Sequence, residues 1–307
     1  MSIVNSPGRV RLSLGPIQYH WPKEKMLDFY RAIESTPVDI VYLGETVCSK
    51  RRSFQHKDWI EVAERLRDAG KEVILSTLAL LEANSELGYV RRLCNSETFT
   101  VEANDMSAVQ MLAGKVPFVG GATLNVLNQR SLQKLVDLGL QRWVVPVEAS
   151  RSMLAEIREH IAEPIEYEML AWGRLPLAYS ARCYTARAHN LPKDECQFKC
   201  LEYPDGLMLE TQENKEFLVL NGIQTQSALT HQVLEQLDEL ATLGVDVLRI
   251  SPQHEGTMRI IEIFDATLKG TDPGSLIEEL ISLLPLGACN GYLLKQAGMD
   301  YDDSRAA

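Results

Sequence analysis

The sequence predicts an α/β fold, a closed (β/α)8 barrel of the TIM type, in a chain of 307 residues. Two patterns predict it: eight short apolar runs of strand-like composition, and amphipathic stretches of helical spacing between them. Strands that alternate with helices form parallel sheets, and eight such units suit a closed barrel. An open, doubly wound sheet is the alternative, but no Gly-x-Gly-x-x-Gly turn follows the first strand. Dinucleotide binding is therefore a weaker interpretation.

The strands are identified from runs rich in branched aliphatic and aromatic residues. In chain order we predict strands over Val10 to Leu14, Asp39 to Leu43, Val73 to Leu78, Phe99 to Ala103, Phe118 to Thr123, Trp143 to Val147, Ile165 to Leu170 and Val245 to Ile250.

Helical spacing is clearest between the second and third strands. Within Lys57 to Leu66, the apolar residues Trp59, Val62 and Leu66 recur on one face of a helix. A glycine in the left-handed conformation commonly ends a helix, and we predict this role for Gly70, Gly114 and Gly139.

One interval breaks the alternation. About fifty residues separate the seventh strand from a helix expected to begin near Gln226, which is far longer than an ordinary loop of a barrel. The interval carries three cysteines and a segment, Gly206 to Gly222, that is typical of a β-hairpin. We therefore predict a single barrel domain over 1–307 with an insertion at about 172–225, at the carboxyl face where barrel active sites lie.

Four of the six cysteines are candidate ligands of a metal or cluster. Cys183, Cys196 and Cys200 fall within the insertion, and Cys48 lies just past the second strand, on the same predicted face. Cys196 and Cys200 are four apart, which would put both sulfurs on one face of a helical turn. Four thiolates can complete a zinc site or an iron-sulfur cluster. Spacing alone leaves both open, together with a set of unrelated buried thiols.

Composition indicates a soluble cytoplasmic protein. The chain has no export signal at its start and no apolar run long enough to cross a membrane. With 42 acidic and 31 basic residues its formal charge is −11, which disfavours nucleic acid as a partner. The one compact basic cluster is Lys50-Arg51-Arg52.

Three stretches together carry a family resemblance. They are Gly44 to Arg51 (GETVCSKR), Ala171 to Arg187 (AWGRLPLAYSARCYTAR), and the Cys196/Cys200 pair. With these stretches the chain resembles the collagenase-like peptidase superfamily over nearly its whole length, ending at Cys289 to Tyr292 (CNGY). The resemblance is closest to the branch that acts in ubiquinone biosynthesis without dioxygen, whose members are not known as proteases.

The resemblance implies a cofactor and partners. It implies a 4Fe-4S cluster held by Cys48, Cys183, Cys196 and Cys200, and a heterodimer with a homologous chain, UbiU. It also implies a lipid-binding accessory protein, UbiT, and polyprenylated aromatic ubiquinone precursors as substrates of the hydroxylation. The chain would then be a subunit of an oxygen-independent hydroxylase rather than a peptidase, with catalytic residues that the sequence does not identify.

The sequence departs from the peptidase-labelled relatives at one position. Their seventh strand runs into a His-Gly pair, where this chain has Trp172-Gly173, so a general base is missing there. Two alternatives from other classes remain: an RNA base hydroxylase, as in other branches of the superfamily, and a zinc-stabilised barrel that serves only for interaction. Cys94 and Cys289 do not match the ligand pattern and are expected to be ordinary buried thiols.

Further polar residues lie near the carboxyl face of the predicted barrel. They can hold a polar substrate, tune a cluster, or form salt bridges that tie loops to the barrel. These residues are Glu45, Glu102, Glu148, Glu168, Arg174, Arg182, Arg187 and Arg249. His189, between two of the cysteines, can donate a hydrogen bond to a cluster sulfur or stand in solvent.

Overall fold

A computed structural model of the chain describes residues 9–302. Eight parallel strands close a barrel, as predicted, because the last of them pairs with both the first and the seventh. The barrel strands are β1 (Arg11–Leu14), β2 (Ile40–Leu43), β3 (Glu72–Ser76), β4 (Thr100–Ala103), β5 (Phe118–Gly120), β6 (Leu140–Val144), β7 (Glu166–Tyr179) and β11 (Val247–Ile250).

Helices follow the strands and cover the barrel. They are α1 (Lys23–Glu34), α2 (His56–Asp68), α3 (Asn84–Cys94), α4 (Met106–Leu112), α5 (Gln129–Asp137), α6 (Arg151–Glu159), α7 (Tyr184–Ala188), α8 (Leu237–Thr242), α9 (Thr257–Leu268) and α10 (Ile277–Ser282). Gly70, Gly114 and Gly139 follow α2, α4 and α5 with positive φ, as the sequence predicts. None of the helices in residues 9–302 is both long and apolar enough to cross a bilayer.

Alternate residues of the barrel strands pack into two different apolar clusters, one on each face of the sheet. In β2, Val41 and Leu43 face the large apolar layer between strands and helices, whereas Ile40 and Tyr42 belong to a smaller cluster. This is the period of two that a strand imposes on its side chains. The smaller cluster fills part of the barrel interior, and the rest of the interior is polar.

The polar part of the interior is a buried network of ion pairs. Glu168 accepts hydrogen bonds from Ser13 at 2.6 Å, from Arg249 at 2.7 Å, and from the Tyr42 hydroxyl. Arg249 also donates to Glu102 at 2.9 Å. Below them Arg142, with no exposed surface, pairs with Glu166 at 2.6 Å. Buried charges persist only when paired in this way.

Past the barrel, β7 continues as one strand of a small antiparallel sheet. Its partner is β10 (Gln224–Gln232), which also pairs with β9 (Glu216–Asn221), and β9 pairs with β8 (Leu207–Glu210). The short β12 (Ala288–Cys289) lies along the other end of β10. The strands β8 to β10 and the segment before them, residues 180–206, lie between β7 and α8 in the chain.

Several details of the sequence prediction are wrong, among them the end of the seventh strand, since β7 continues from the barrel into the small sheet. The helix expected near Gln226 is the strand β10, which has a strand on each side; its first six residues alternate between buried and half-buried, as the pleat of a strand dictates. The sixth strand was expected at Trp143 to Val147 but runs from Leu140 to Val144. Gly139 ends the preceding helix and so lets the strand begin early, and Pro146 has no N–H for a longer ladder.

Gly173 of β7 allows the strand to pass close to the loop after β11. Its φ is +140°, and a Cβ there would lie 2.4 Å from Cβ of Ser251. We expect Gly173→Ala to lower the free energy of unfolding by about 1–3 kcal/mol, the usual cost of such backbone strain. Urea unfolding followed by circular dichroism measures the change.

Gly88 is the matched control for this substitution. It lies inside α3, and no atom stands within 4 Å of a Cβ added there. Gly88→Ala is expected to raise stability by about 0.5–1 kcal/mol, because alanine favours the helix. Equal effects of the two substitutions would show that the close approach at Gly173 has no energetic importance.

Candidate metal centre

Four cysteines from two distant parts of the chain line one cavity. Cys48 comes from the loop after β2, while Cys183, Cys196 and Cys200 come from the segment between β7 and β8. The cavity contains about 310 Å³ of empty space, part of it open to solvent. All four thiols are free and half-buried, so none is committed to a disulfide.

The three thiols of the insertion are carried by tight local structure. Cys183 caps the N-terminus of α7, and its sulfur accepts a hydrogen bond from the backbone N–H of Ala186 at 3.4 Å. Cys196 and Cys200 were expected on one helical turn, and this is wrong. Gln197 and Phe198 between them adopt left-handed conformations, with φ of 50° and 52°, and Cys200 lies in a short 3-10 helix.

Lys50 and Arg51 fasten the Cys48 loop to the insertion. Lys50 Nζ donates to the Asp194 carboxylate at 2.5 Å. The guanidinium of Arg51 donates to Asn221 at 2.7 Å and to the Gln18 carbonyl at 2.5 Å. The Lys50 bond joins the β2 loop to the segment that carries the other thiols, and the Arg51 bonds join it to β9 and to the loop after β1. Together they hold Cys48 near the other thiols.

Arg51 also places a positive charge beside the thiols. Its side chain is buried and lies 3.7 Å from Glu45, whose carboxylate accepts hydrogen bonds from the N–H groups of Val47 and Cys48. Burial raises the pKa of the Cys48 and Cys200 thiols, and the Arg51 cation opposes this effect. The raised pKa values favour the protonated thiols, and metal binding releases these protons.

The donor set suits soft metals. Thiolates bind zinc or iron-sulfur clusters, and the buried Arg51 cation favours the thiolate form of Cys48 and Cys200. One zinc draws four sulfurs to about 2.3 Å from a common centre. In a four-iron cluster each thiolate binds a different iron, so the sulfurs surround a larger volume. Within residues 9–302, no three His, Cys, Asp or Glu side chains converge closely enough to hold a single ion.

His20 stands next to this cavity and was not singled out from the sequence. Its Nδ1 lies 3.3 Å from Sγ of Cys200. Burial, and then the Arg51 cation, lower the pKa of His20 to about 4. The rule that loops after parallel strands share one face places His20 on the right side of the barrel. No local motif, however, distinguishes it from its neighbours.

His189, the histidine that the sequence did single out, makes no hydrogen bond to a cysteine sulfur of the described residues. Its Nε2 lies 3.0 Å from the Tyr203 hydroxyl, within the insertion. Cys94 and Cys289 are buried, as expected, and burial raises their pKa to about 11 and about 12. They are protonated thiols of the apolar core at neutral pH.

A second cavity, with about 610 Å³ of empty space, opens at the carboxyl end of the barrel. Glu102, Arg174 and Arg249 supply its charges. A groove continues from it, since Val147 and further residues line both, and the lining of this groove mixes apolar and polar side chains. The Cys48 loop also reaches this cavity through Thr46, so the two cavities have a loop in common.

The polar residues near the carboxyl face therefore divide into groups. Glu102, Glu168 and Arg249 belong to the buried ion network, and Glu45 pairs with Arg51. Arg174 lines the barrel-mouth cavity and donates to the Ala228 carbonyl at 3.2 Å. The remaining side chains are exposed and are not among the lining residues of the cysteine cavity: Glu148, Arg182 and Arg187.

A comparison with models of protein families identifies the family of this chain. The model of peptidase family U32 matches residues 25–300, which include all four cavity cysteines. The chain belongs to peptidase family U32. In this U32 chain Trp172, at the position where peptidase-labelled relatives are expected to carry histidine, is fully buried in the layer between barrel and helices. It does not line the barrel-mouth cavity, and its indole N–H is a donor only, which cannot act as a base.

Solved structures with similar folds include one from the same family. The U32 chain is similar to the U32 peptidase Mk0906, with 11% identity and a TM-score of 0.45 over 82% of this chain and 97% of that one. It is also similar to N-acetylneuraminate lyase of Proteus mirabilis, with 10% identity and a TM-score of 0.45 over 88% and 79%. The closed strand order, rather than these distant similarities, establishes the barrel.

Proposed function

We propose that the chain acts as UbiV, an iron-sulfur protein of oxygen-independent hydroxylation in anaerobic ubiquinone biosynthesis. The observation that carries the proposal is the single cavity lined by Cys48, Cys183, Cys196 and Cys200. These are the four positions at which the family resemblance implies ligands of a 4Fe-4S cluster. With four thiolate ligands and no open iron site, such a cluster supplies electron transfer or structural support rather than Lewis-acid chemistry.

Residues around the cysteine cavity have definite tasks under this proposal. The four thiols would hold the cluster, and Arg51 would offset part of its negative charge. Lys50 and Arg51 keep the Cys48 loop against the insertion, so the ligands from both segments remain together.

The barrel-mouth cavity supports a role in binding a precursor that has both polar and apolar groups. Most of its lining surface is apolar, and Glu102, Arg174 and Arg249 supply its charges. The adjoining groove has about 760 Å³ of empty space and a mixed lining, in which Glu148 lies beside Leu177. A polyprenylated aromatic ring presents both kinds of surface, and its apolar tail favours removal from water.

A partner chain is the second part of the proposal. UbiU is the expected heterodimer partner, and UbiT the lipid-binding protein expected to deliver the substrate. Large apolar side chains stand exposed along the insertion, and exposed apolar residues commonly mark interfaces. These are Phe198, Leu201, Leu209 and Phe217, each between 41% and 45% exposed.

The RNA alternative has less support from the basic cluster than the sequence suggested. Lys50 pairs with Asp194, and Arg51 is buried against Asn221 and Gln18. Only Arg52 of the three basic residues is exposed. Phosphate binding needs accessible cations, so this cluster is a loop anchor rather than a site for a nucleic-acid backbone.

The deciding experiment measures iron, sulfide and zinc in protein purified and reconstituted without oxygen, together with its visible spectrum. We expect about four irons and four sulfides per chain. The same preparation is then mixed with UbiU and analysed by gel filtration, where a one-to-one complex is expected. Zinc alone would favour the interaction barrel, and retention of cellular RNA in place of UbiU binding would favour the RNA hydroxylase.

A further inference from the structure

His20 presents a ring nitrogen to one of the four cavity thiols. Its Nδ1 lies 3.3 Å from Sγ of Cys200, within reach of an N–H to sulfur hydrogen bond. The imidazole is 6% exposed and packs edge-on against Phe198, with ring centroids 5.7 Å apart. Phe198 lies between Cys196 and Cys200, so the ring is held by the same segment that carries two of the thiols.

The two neighbours of His20 fix its position independently of the imidazole. The Tyr19 hydroxyl donates to the Gln226 side chain at 3.1 Å, on β10. Trp21 Nε1 donates to the Pro204 carbonyl at 2.7 Å, in the insertion. These two bonds lie on either side of His20 in the sequence and attach its backbone to β10 and to the segment that carries Cys200. A substitution of the His20 ring should therefore leave this segment docked.

The direction of the hydrogen bond follows from the chemistry of the sulfur. A free thiol can donate its proton to Nδ1, but a sulfur bound to iron has no proton and can only accept. With iron bound, a favourable contact at this distance requires the hydrogen on Nδ1. A donor at a ligand sulfur stabilises the negative charge that reduction adds, and so favours the reduced cluster.

We infer that His20 is a positioning residue that donates its Nδ1 hydrogen to the Cys200 sulfur and raises the reduction potential of the cluster bound there. The inference rests on the proposed function, which supplies the cluster. It adds a residue outside the four ligands and a measurable property, the potential.

The test compares reduction potentials in anaerobic redox titrations followed by electron paramagnetic resonance. His20→Phe keeps an aromatic ring for Phe198 and removes the donor. At a fixed potential we expect about a tenfold lower ratio of reduced to oxidised cluster, which is about 59 mV for one electron. In His20→Asn the side-chain amide nitrogen reaches the position of Nδ1, so the reduction potential should return most of the way to the wild-type value. His189→Phe is the control, since His189 contacts Tyr203 and not a cysteine.

Iron and sulfide content separates the possible failures. If the wild-type chain holds no cluster, the proposed function fails. If His20→Phe holds a full cluster at an unchanged potential, the proposed function stands and the role of His20 is wrong. If His20→Phe loses its cluster, the test moves to the wild-type chain labelled with ¹⁵N-histidine. Pulsed electron paramagnetic resonance of its reduced cluster should detect a histidine nitrogen coupled to the unpaired electron, and the same coupling should persist in His189→Phe. Absence of this coupling would overturn the inference.

Discussion

Cys196→Ala is expected to abolish both the cluster and anaerobic ubiquinone production. The substitution removes one of four sulfurs around the cavity, and no other cysteine lines it to take that place. Iron should fall from about four atoms per chain towards none, because one iron loses its thiolate ligand and opens to solvent in a cavity that is already partly open. Metal analysis measures the first effect. Quinone extraction from cells grown without oxygen measures the second, and growth with oxygen should be unaffected.

Cys94→Ala is the matched control for this experiment. Cys94 is buried in the apolar core at the end of α3 and does not line the cavity. It should retain full iron content and full quinone production. Normal anaerobic ubiquinone in Cys196→Ala would contradict the proposed function, and equal losses in both variants would indicate a folding defect instead.

Glu168→Gln is expected to lower the free energy of unfolding by about 3–5 kcal/mol, the usual effect of breaking a buried ion pair. Glu168 has no exposed surface and accepts hydrogen bonds from Arg249, Ser13 and Tyr42. Arg142 lies 3.8 Å from the same carboxylate. A neutral amide would leave both guanidiniums short of negative charge in the barrel interior. Urea unfolding at neutral pH measures the loss.

The stability lost in Glu168→Gln should depend on pH. Burial alone would raise the pKa of Glu168, but the Arg249 and Arg142 cations outweigh burial and hold it below its usual value. A carboxylate with a lowered pKa contributes stability above its unfolded pKa of about 4.3 and loses it as the pH falls. The difference in the free energy of unfolding between wild type and Glu168→Gln should have its full size at pH 7 and shrink below pH about 4.

An exposed carboxylate provides the comparison. Glu262 pairs with Arg259 on the surface of α9, with 54% of its side chain exposed. Glu262→Gln should leave the unfolding midpoint nearly unchanged, since solvent screens such pairs. A loss as large as that of Glu168→Gln would show that formal charge, rather than burial, determines the effect. No loss in Glu168→Gln would mean that the remaining acids of the network compensate Arg249 fully.

Much of the candidate site followed from the fold that the sequence predicted. Loops after parallel strands share one face, so Cys48 after β2 could be expected near an insertion after β7, and the four thiols do line one cavity. The left-handed turn at Gln197 and Phe198 could not be expected, because non-glycine residues avoid that conformation unless tertiary contacts impose it. His20 was missed for a similar reason, since its importance lies in a contact with a residue 180 positions away.

The sequence by itself determined the alternation of strands and helices and hence the barrel. This alternation follows from hydrophobic periodicity, which is a local property of the chain. Only the tertiary structure decided that Gln224–Gln232 is a strand, since its few apolar residues give a weak pattern and its identity comes from pairing with β7 and β9. It also decided that Arg51 anchors a loop and that Glu168 and Arg249 pair inside the barrel. Such pairings depend on which charges the closed sheet brings together, and that information is spread over the whole chain.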